Sequence, residues 1–254
     1  MGATMSRGSA GAAVGTEAPP RYSIVIPVHN EAECLAAEVA ELVRGLQAAG
    51  VDYEIILAEN GSSDGTFALC EGLAAGDRCL RVLQVPVADY GAAMKAGMLA
   101  GRGELIVNFD IDFHDVDFML KAGEVLTAEP AVGIVVGSKL IEGAEDRRSW
   151  ARHLVSLGFT TVLRVLFDRH MDDTHGMKVL RREVVARFAP RTIMTTDLFD
   201  TELIIRARRE GVIVKALPVT VEEKRKPRSS IVRRIPRTIR GLLRLRLVLW
   251  KEGR

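Results

Sequence analysis

Aromatic residues are scarce in this chain, 5% of 254 positions, with two tryptophans. A surface that stacks the bases of a nucleic-acid strand needs aromatic platforms along it, and a dedicated one is not apparent. Cysteine is scarcer: Cys34, Cys70 and Cys79 are odd in number and lack metal-ligand spacing. The chain does not look secreted, and reduced buried thiols of a cytoplasmic protein are the expectation. No uncharged apolar run reaches the length of about 18 residues that marks a transmembrane helix. Residues 1–20, MGATMSRGSAGAAVGTEAPP, lack the compact leucine-rich stretch of a secretory signal and read as a disordered leader.

What is present is ordinary in amount and uneven in distribution. With 48% hydrophobic and 27% charged residues the chain suits one large soluble domain with a full core. The net charge is +2, yet Lys224 to Arg254 holds 12 Lys/Arg and one acid, Glu252. That stretch carries +11 and the remainder −9. A basic end on an acidic body points to an anionic partner for that end: lipid headgroups, phosphates or nucleic acid.

Apolar runs and amphipathic segments alternate. YSIVIPV, YEIILAE, LRVLQVP, ELIVNFD and AVGIVVGS read as strands. Between them stand helical segments such as Glu31–Gly50 and DVDFMLKAGEVLTAEP. This order gives βαβ units and an α/β fold with a mostly parallel sheet covered on both faces. SWARHLVSLGFTTVLRVLF and TTDLFDTELIIRARREG read as further helices, MKVLRR as a short strand after a loop, and VIVKALPVTV as a strand. The expected organisation is one domain over 21–230 and a basic amphipathic helix over 231–254. Ligands of such sheets bind at the carboxyl ends of the strands.

Polar clusters sit at those ends: HNE after the first strand, ENGSSDGT after the second, DIDFHD after the fourth. In an extended segment Asn108, Asp110, Asp112 and His114 share one face, and Phe109, Ile111 and Phe113 the other. Two carboxylates about 6–7 Å apart repel by roughly 2–3 kcal/mol at an effective dielectric near 20, which favours a bound cation. Mg²⁺ or Mn²⁺ suits carboxylates, accepts one imidazole and bridges to substrate phosphates. Asp115 or Asp117 also reads as a cap of the next helix, as does Ser63 or Asp64 earlier in the chain. Glu31 is favourable at a helix start through the dipole alone.

IPVHNE, ENGSSDGT and DIDFHD, in this order, resemble glycosyltransferase family 2 with its GT-A fold. The likeness is to polyprenyl-phosphate (dolichyl-phosphate) mannose synthases. It continues through VGSKLIEG, WARHLVS, DTHGMKVLRR and FDTELIIRARREG, covering about Tyr22 to Ser230. The resemblance implies a nucleotide-sugar pocket lined by Pro27, His29, Glu31, Glu59, Asp110 and Ile111. It implies a Mg²⁺ or Mn²⁺ ion held by Asp112 and His114, with Asp112 catalytic through the metal. Lys139, Arg152 and Ser156 match positions that hold an acceptor phosphate, and Arg152 and Ser156 share a helix face at i, i+4. Lys224 or Arg225 would approach the donor diphosphate as its loop closes. Glu-Asn at 59–60 and His29 depart from the family's usual Asp-Asp and Tyr, leaving the base of the donor open.

The implied reaction is hexose transfer, mannose or glucose, from a GDP- or UDP-linked donor with inversion. A phosphate acceptor is already ionised near neutral pH and needs no base; a hydroxyl acceptor does. Asp200 is the base candidate for that second case. In the tail, Ile231, Ile235, Ile239, Leu242 and Leu243 recur at helical spacing with interleaved arginines, and Trp250 follows. This reads as a helix on the anionic inner face of a membrane or as one packed on the domain. Pro236 argues for a bend or a late start. A non-catalytic binder of nucleic acid is the remaining class, disfavoured by the sparse aromatics, and a homo-oligomer stays open.

Overall fold

The structure, a computed structural model, describes residues 18–146, 150–169, 171, 174, 176–221 and 231–252. Most of the expected leader, 1–17, and the basic loop 222–230 lie outside them. Pro20 belongs to the fold: it is buried and its carbonyl accepts the Glu104 N–H.

Strands and helices alternate through the first half: β1 (Tyr22–Val28), α1 (Leu35–Ala49), β2 (Tyr53–Asn60), α2 (Thr66–Gly76), β3 (Leu80–Val85), α3 (Tyr90–Ala100), β4 (Leu105–Asn108), α4 (Val116–Ala128) and β5 (Val132–Ser138). Then come β6 (Glu145–Asp146), α5 (Trp150–Leu166), β7 (Lys178–Arg181), α6 (Arg182–Phe188), α7 (Phe199–Arg209), β8 (Ile213–Pro218), β9 (Thr220–Val221) and α8 (Ile231–Glu252). The seven-stranded sheet runs β3-β2-β1-β4-β7-β5-β8, and β6 pairs with β9 apart from it. All pairings in the large sheet are parallel except those of β7. The GT-A-like α/β architecture is the one expected.

Both faces of the central strands are buried, which is why they read as unbroken apolar runs. In β1, Ile24 and Ile26 pack with α1, α2 and α4, and Val25 packs with α3, α7 and α8. Asp89 caps α3 and Asp115 caps α4 through side-chain oxygens. At α2 the cap residue is Gly65, and Asp64, one position earlier, accepts the Thr66 N–H.

Helix α8 is continuous from Ile231 across Pro236. It is also part of the body: Leu242, Leu245 and Leu249 are buried in the same core as Leu198, Phe199 and Leu203. Ile239, Leu243, Leu247 and Trp250 remain exposed on a neighbouring stripe. No helix among the described residues is long and apolar enough to cross a membrane.

Candidate active site

After β3 the chain crosses over β1 through α3, so β2 and β4 flank β1 on opposite sides. A crevice forms where strand order reverses. At this point Pro27, His29, Glu31, Asn60, Ala88, Tyr90, Asp110, Ile111 and Asp112 line a cavity of about 430 Å³. Five residues expected at the nucleotide sugar, together with Asp112, therefore share one wall. Asn60, Ala88 and Tyr90 are additions.

The loops that frame the cavity are stitched together. Asn30 is the one non-glycine with positive φ (54°) among the described residues. Its side chain explains the tolerance, since Oδ1 accepts the Ser63 N–H at 2.8 Å while its own N–H donates to Ser62 Oγ at 3.0 Å. The Glu31 and Ala32 N–H groups donate to Thr66 and Asp64. His29 Nδ1 lies 2.8 Å from the Asn60 carbonyl, which can only accept, so Nδ1 carries the proton. The Asn60 Nδ2 donates to the Val28 carbonyl, leaving Oδ1 as the group's acceptor.

Two expectations change here. Glu59 is buried, and its Oε1 accepts the Ser62 N–H at 2.6 Å; it holds the turn, and Asn60 takes the place at the cavity. His114 does not stand beside Asp112 on a common extended face. The strand ends at Asn108, and Asp110 and Phe113 exchange backbone hydrogen bonds in a tight turn. Beyond that turn His114 Nε2 lies 3.2 Å from Glu38 Oε2 on α1, with the ring tilted against Phe109. Period-two alternation holds only while the chain is extended.

Behind the cavity lies a buried polar cluster. Lys178 on β7 donates from Nζ to Asp200 Oδ2 at 2.9 Å and to the Gly176 carbonyl at 2.6 Å. Asn108 Nδ2 approaches the same carboxylate at 3.3 and 3.4 Å. Lys178, Asp200 and Asn108 are 1%, 4% and 2% exposed, so these partners stand in for water. Tyr90 joins the two regions, its hydroxyl 3.5 Å from both Asp110 and Asp200. Burial, then the neighbouring Asp110 and Asp200 charges, hold the Tyr90 phenol well above its usual range. Burial pushes the Asp110 carboxyl up to about 6; Lys178 opposes this, and Asp200 and Asp112 add to it.

Among the described residues no three His, Cys, Asp or Glu side chains converge as a ready-made metal cage. The donor set fits a different arrangement. Mg²⁺ or Mn²⁺ can sit on one or two carboxylates and complete its shell with phosphate oxygens and water. Asp112, beside Asp110 on the cavity wall, offers that.

Lys139 follows β5 and Ser156 is half-buried on α5, neither of them lining this cavity. The Arg152 side chain, Lys224 and Arg225 lie outside the described residues.

The profile of glycosyl transferase family 2 matches residues 23–188. A dolichyl-phosphate beta-glucosyltransferase of Trichomonas vaginalis is 30% identical over 217 residues, 79% of this chain and 64% of that protein. One of Saccharomyces cerevisiae is 25% identical over 222 residues, 79% of this chain and 66% of that protein. The chain thus spans just under two thirds of the length of these relatives. Glucosyl-3-phosphoglycerate synthase from Mycobacterium tuberculosis, in complex with Mn²⁺, UDP and glucosyl-3-phosphoglycerate, superposes with a TM-score of 0.66 at 20% identity. That match covers 89% of this chain and 80% of that one. At this identity the likeness concerns the fold.

Proposed function

The chain belongs to glycosyl transferase family 2, and from that premise we propose that it moves a hexose from a metal-bound nucleotide sugar to a polyprenyl phosphate. The observation that carries this reading is the contrast within the site. Asp110 and Asp112 open on the cavity and form no ion pair among the described residues, while Asp200 is already engaged by Lys178 and Asn108.

The nucleoside diphosphate would lie along the ends of β1, β2 and β4, with the metal on Asp112. A divalent ion held there would supply neutralisation of the charge on the leaving diphosphate. Asn60 Oδ1 supplies an acceptor suited to a ring N–H beside a carbonyl, which both uracil (N3–H) and guanine (N1–H) carry. The names of the curated relatives favour glucose as the sugar and a dolichyl-type phosphate as acceptor. An ionised phosphate attacks the anomeric carbon directly, with inversion, and asks nothing of Asp200.

A hydroxyl acceptor is the second reading. It is favoured by Tyr90, through which Asp200 is one hydroxyl away from the cavity wall. Asp200 would then be the base, and Asp200→Asn would abolish transfer.

The exposed stripe of α8, Ile239, Leu243, Leu247 and Trp250, runs beside Arg237, Arg240 and Arg244. That combination supports docking on an anionic bilayer from which a lipid acceptor is reached.

Thermal-shift screening of nucleotide sugars with Mn²⁺, followed by transfer assays, tests the donor half. Asp112→Ala should leave folding intact and lower transfer by about two to three orders of magnitude, the loss seen when a charge-stabilising group is removed. Full turnover of that variant in the presence of chelator would refute the metal's role.

A further inference from the structure

Helix α8 is tied to the catalytic side of the molecule by charges as well as by leucines. Arg206 on α7 is 3% exposed and lies between two carboxylates. Its Nε donates to Glu202 Oε1 at 2.7 Å, and its Nη1 and Nη2 donate to the two oxygens of Glu252 at 2.7 and 3.2 Å. Glu202 is fully buried, and its Oε2 accepts the N–H groups of Ile193 and Met194 at 2.8 and 2.7 Å.

The backbone held in this way reaches the site within two residues. The Thr195 carbonyl accepts the Ala92 N–H at 3.0 Å. It also fills the space a side chain on Gly91 would take, 2.1 Å from the Cβ position. Tyr90, next in the chain, bridges Asp110 and Asp200. Asp200 stands two residues before Glu202 on α7, so the tyrosine and one of its two partners lie close to the same carboxylate.

A guanidinium that pairs in two-pronged fashion fixes direction as well as distance. Glu252 supplies that grip on the outer side of Arg206, and Arg206 in turn keeps the buried Glu202 charge compensated. We propose that Glu252 is a positioning residue: through Arg206 and Glu202 it sets the 192–196 segment and the first turn of α3, and so holds Tyr90 between the two carboxylates. The C-terminal helix is then a working part of the transfer site in addition to a surface for attachment. The kinetic part of this inference rests on the glycosyl-transfer reading above.

The full chain carrying Glu252→Gln, Glu252→Asp or Arg209→Gln tests it. Arg209 Nη1 donates to the Leu249 carbonyl, so it anchors the same stretch of α8, and its charge reaches Glu252 only through space. Amide hydrogen exchange by mass spectrometry and kinetics of nucleotide-sugar transfer are measured well below each variant's Tm. Glu252→Gln should speed exchange across 192–196 and 90–93 by about tenfold, as local opening becomes easier. It should lower kcat by about three- to tenfold, the range carried by coupled side-chain networks, with the donor KM within about twofold. Glu252→Asp should recover part of both effects. Arg209→Gln should lower Tm without either. A fall in Tm for Glu252→Gln with unchanged exchange at 192–196, or the same exchange pattern in Arg209→Gln, overturns the proposal. If the wild type transfers no sugar, the functional reading fails, and the exchange comparison still decides the relay.

Discussion

Asp110 and Asp200 stand on either side of one tyrosine hydroxyl, 3.5 Å from each, in opposite circumstances. Asp200 is buried with an ammonium at 2.9 Å and an amide beside it. Asp110 is half-buried at the cavity, and burial pushes its carboxyl up to about 6. The first carboxylate is complete as folded and holds β7, β4 and α7 together. The second forms no ion pair among the described residues and opens on the cavity, with Lys178 acting on it only through space. A compensated buried acid is architecture, whereas an uncompensated one at a cavity is an invitation to a cation.

That contrast can be broken from either side. The largest effect should come from Lys178→Met, which strands the Asp200 charge in the interior. The expected loss is about 3–5 kcal/mol of unfolding free energy in urea melts, with much of it regained in Lys178→Met/Asp200→Leu. A loss below about 1 kcal/mol would mean that the pair is not the closed unit described.

Asp110→Asn should move stability the other way. A carboxyl whose folded pKa is raised binds its proton more tightly in the native state. Its contribution is therefore fully present below the unfolded value near 3.9 and is lost as pH rises through about 6. At pH 7.5 the ligand-free Asn variant should be more stable than wild type by about 2–3 kcal/mol, and the gap should close near pH 4. Thermal melts across that range check the sign; a gap that widens toward low pH would contradict it. The smallest change is expected for Tyr90→Phe, whose hydrogen bonds are long: about 0.5–1.5 kcal/mol in the same melts.

Legibility in the sequence follows the same divide between local and distant causes. Strands β1, β2, β4 and β5 are buried on both faces, and their apolar runs announce them. The cavity residues Pro27, His29, Glu31, Asp110, Ile111 and Asp112 lie at the ends of such runs, where position alone makes them candidates. The place of β7 was not legible: the strand was read, yet its antiparallel insertion between β4 and β5 depends on partners far along the chain. Lys178 was missed for the same reason. Its one faint signal is a lysine inside the apolar stretch MKVL, and its partner is 22 residues away on a helix. The turn at Asp110–Phe113, which ends the alternation before His114, and the Ser62 amide that holds the Glu59 carboxylate have no local signature. The tail offered two readings, membrane surface or domain packing. One face packs into the core and the adjacent stripe stays exposed, since 22 residues of helix have room for both.

We propose that the site serves an acceptor that arrives already ionised. It is tested most directly by offering the purified full chain, with Mn²⁺ and labelled UDP-glucose or GDP-mannose, a polyprenyl phosphate and the polyprenol of the same chain length. Label is expected in the lipid phase with the phosphate and none above background with the alcohol, in wild type, and phosphate transfer should survive Asp200→Asn. Transfer to the alcohol, abolished by Asp200→Asn, would contradict it.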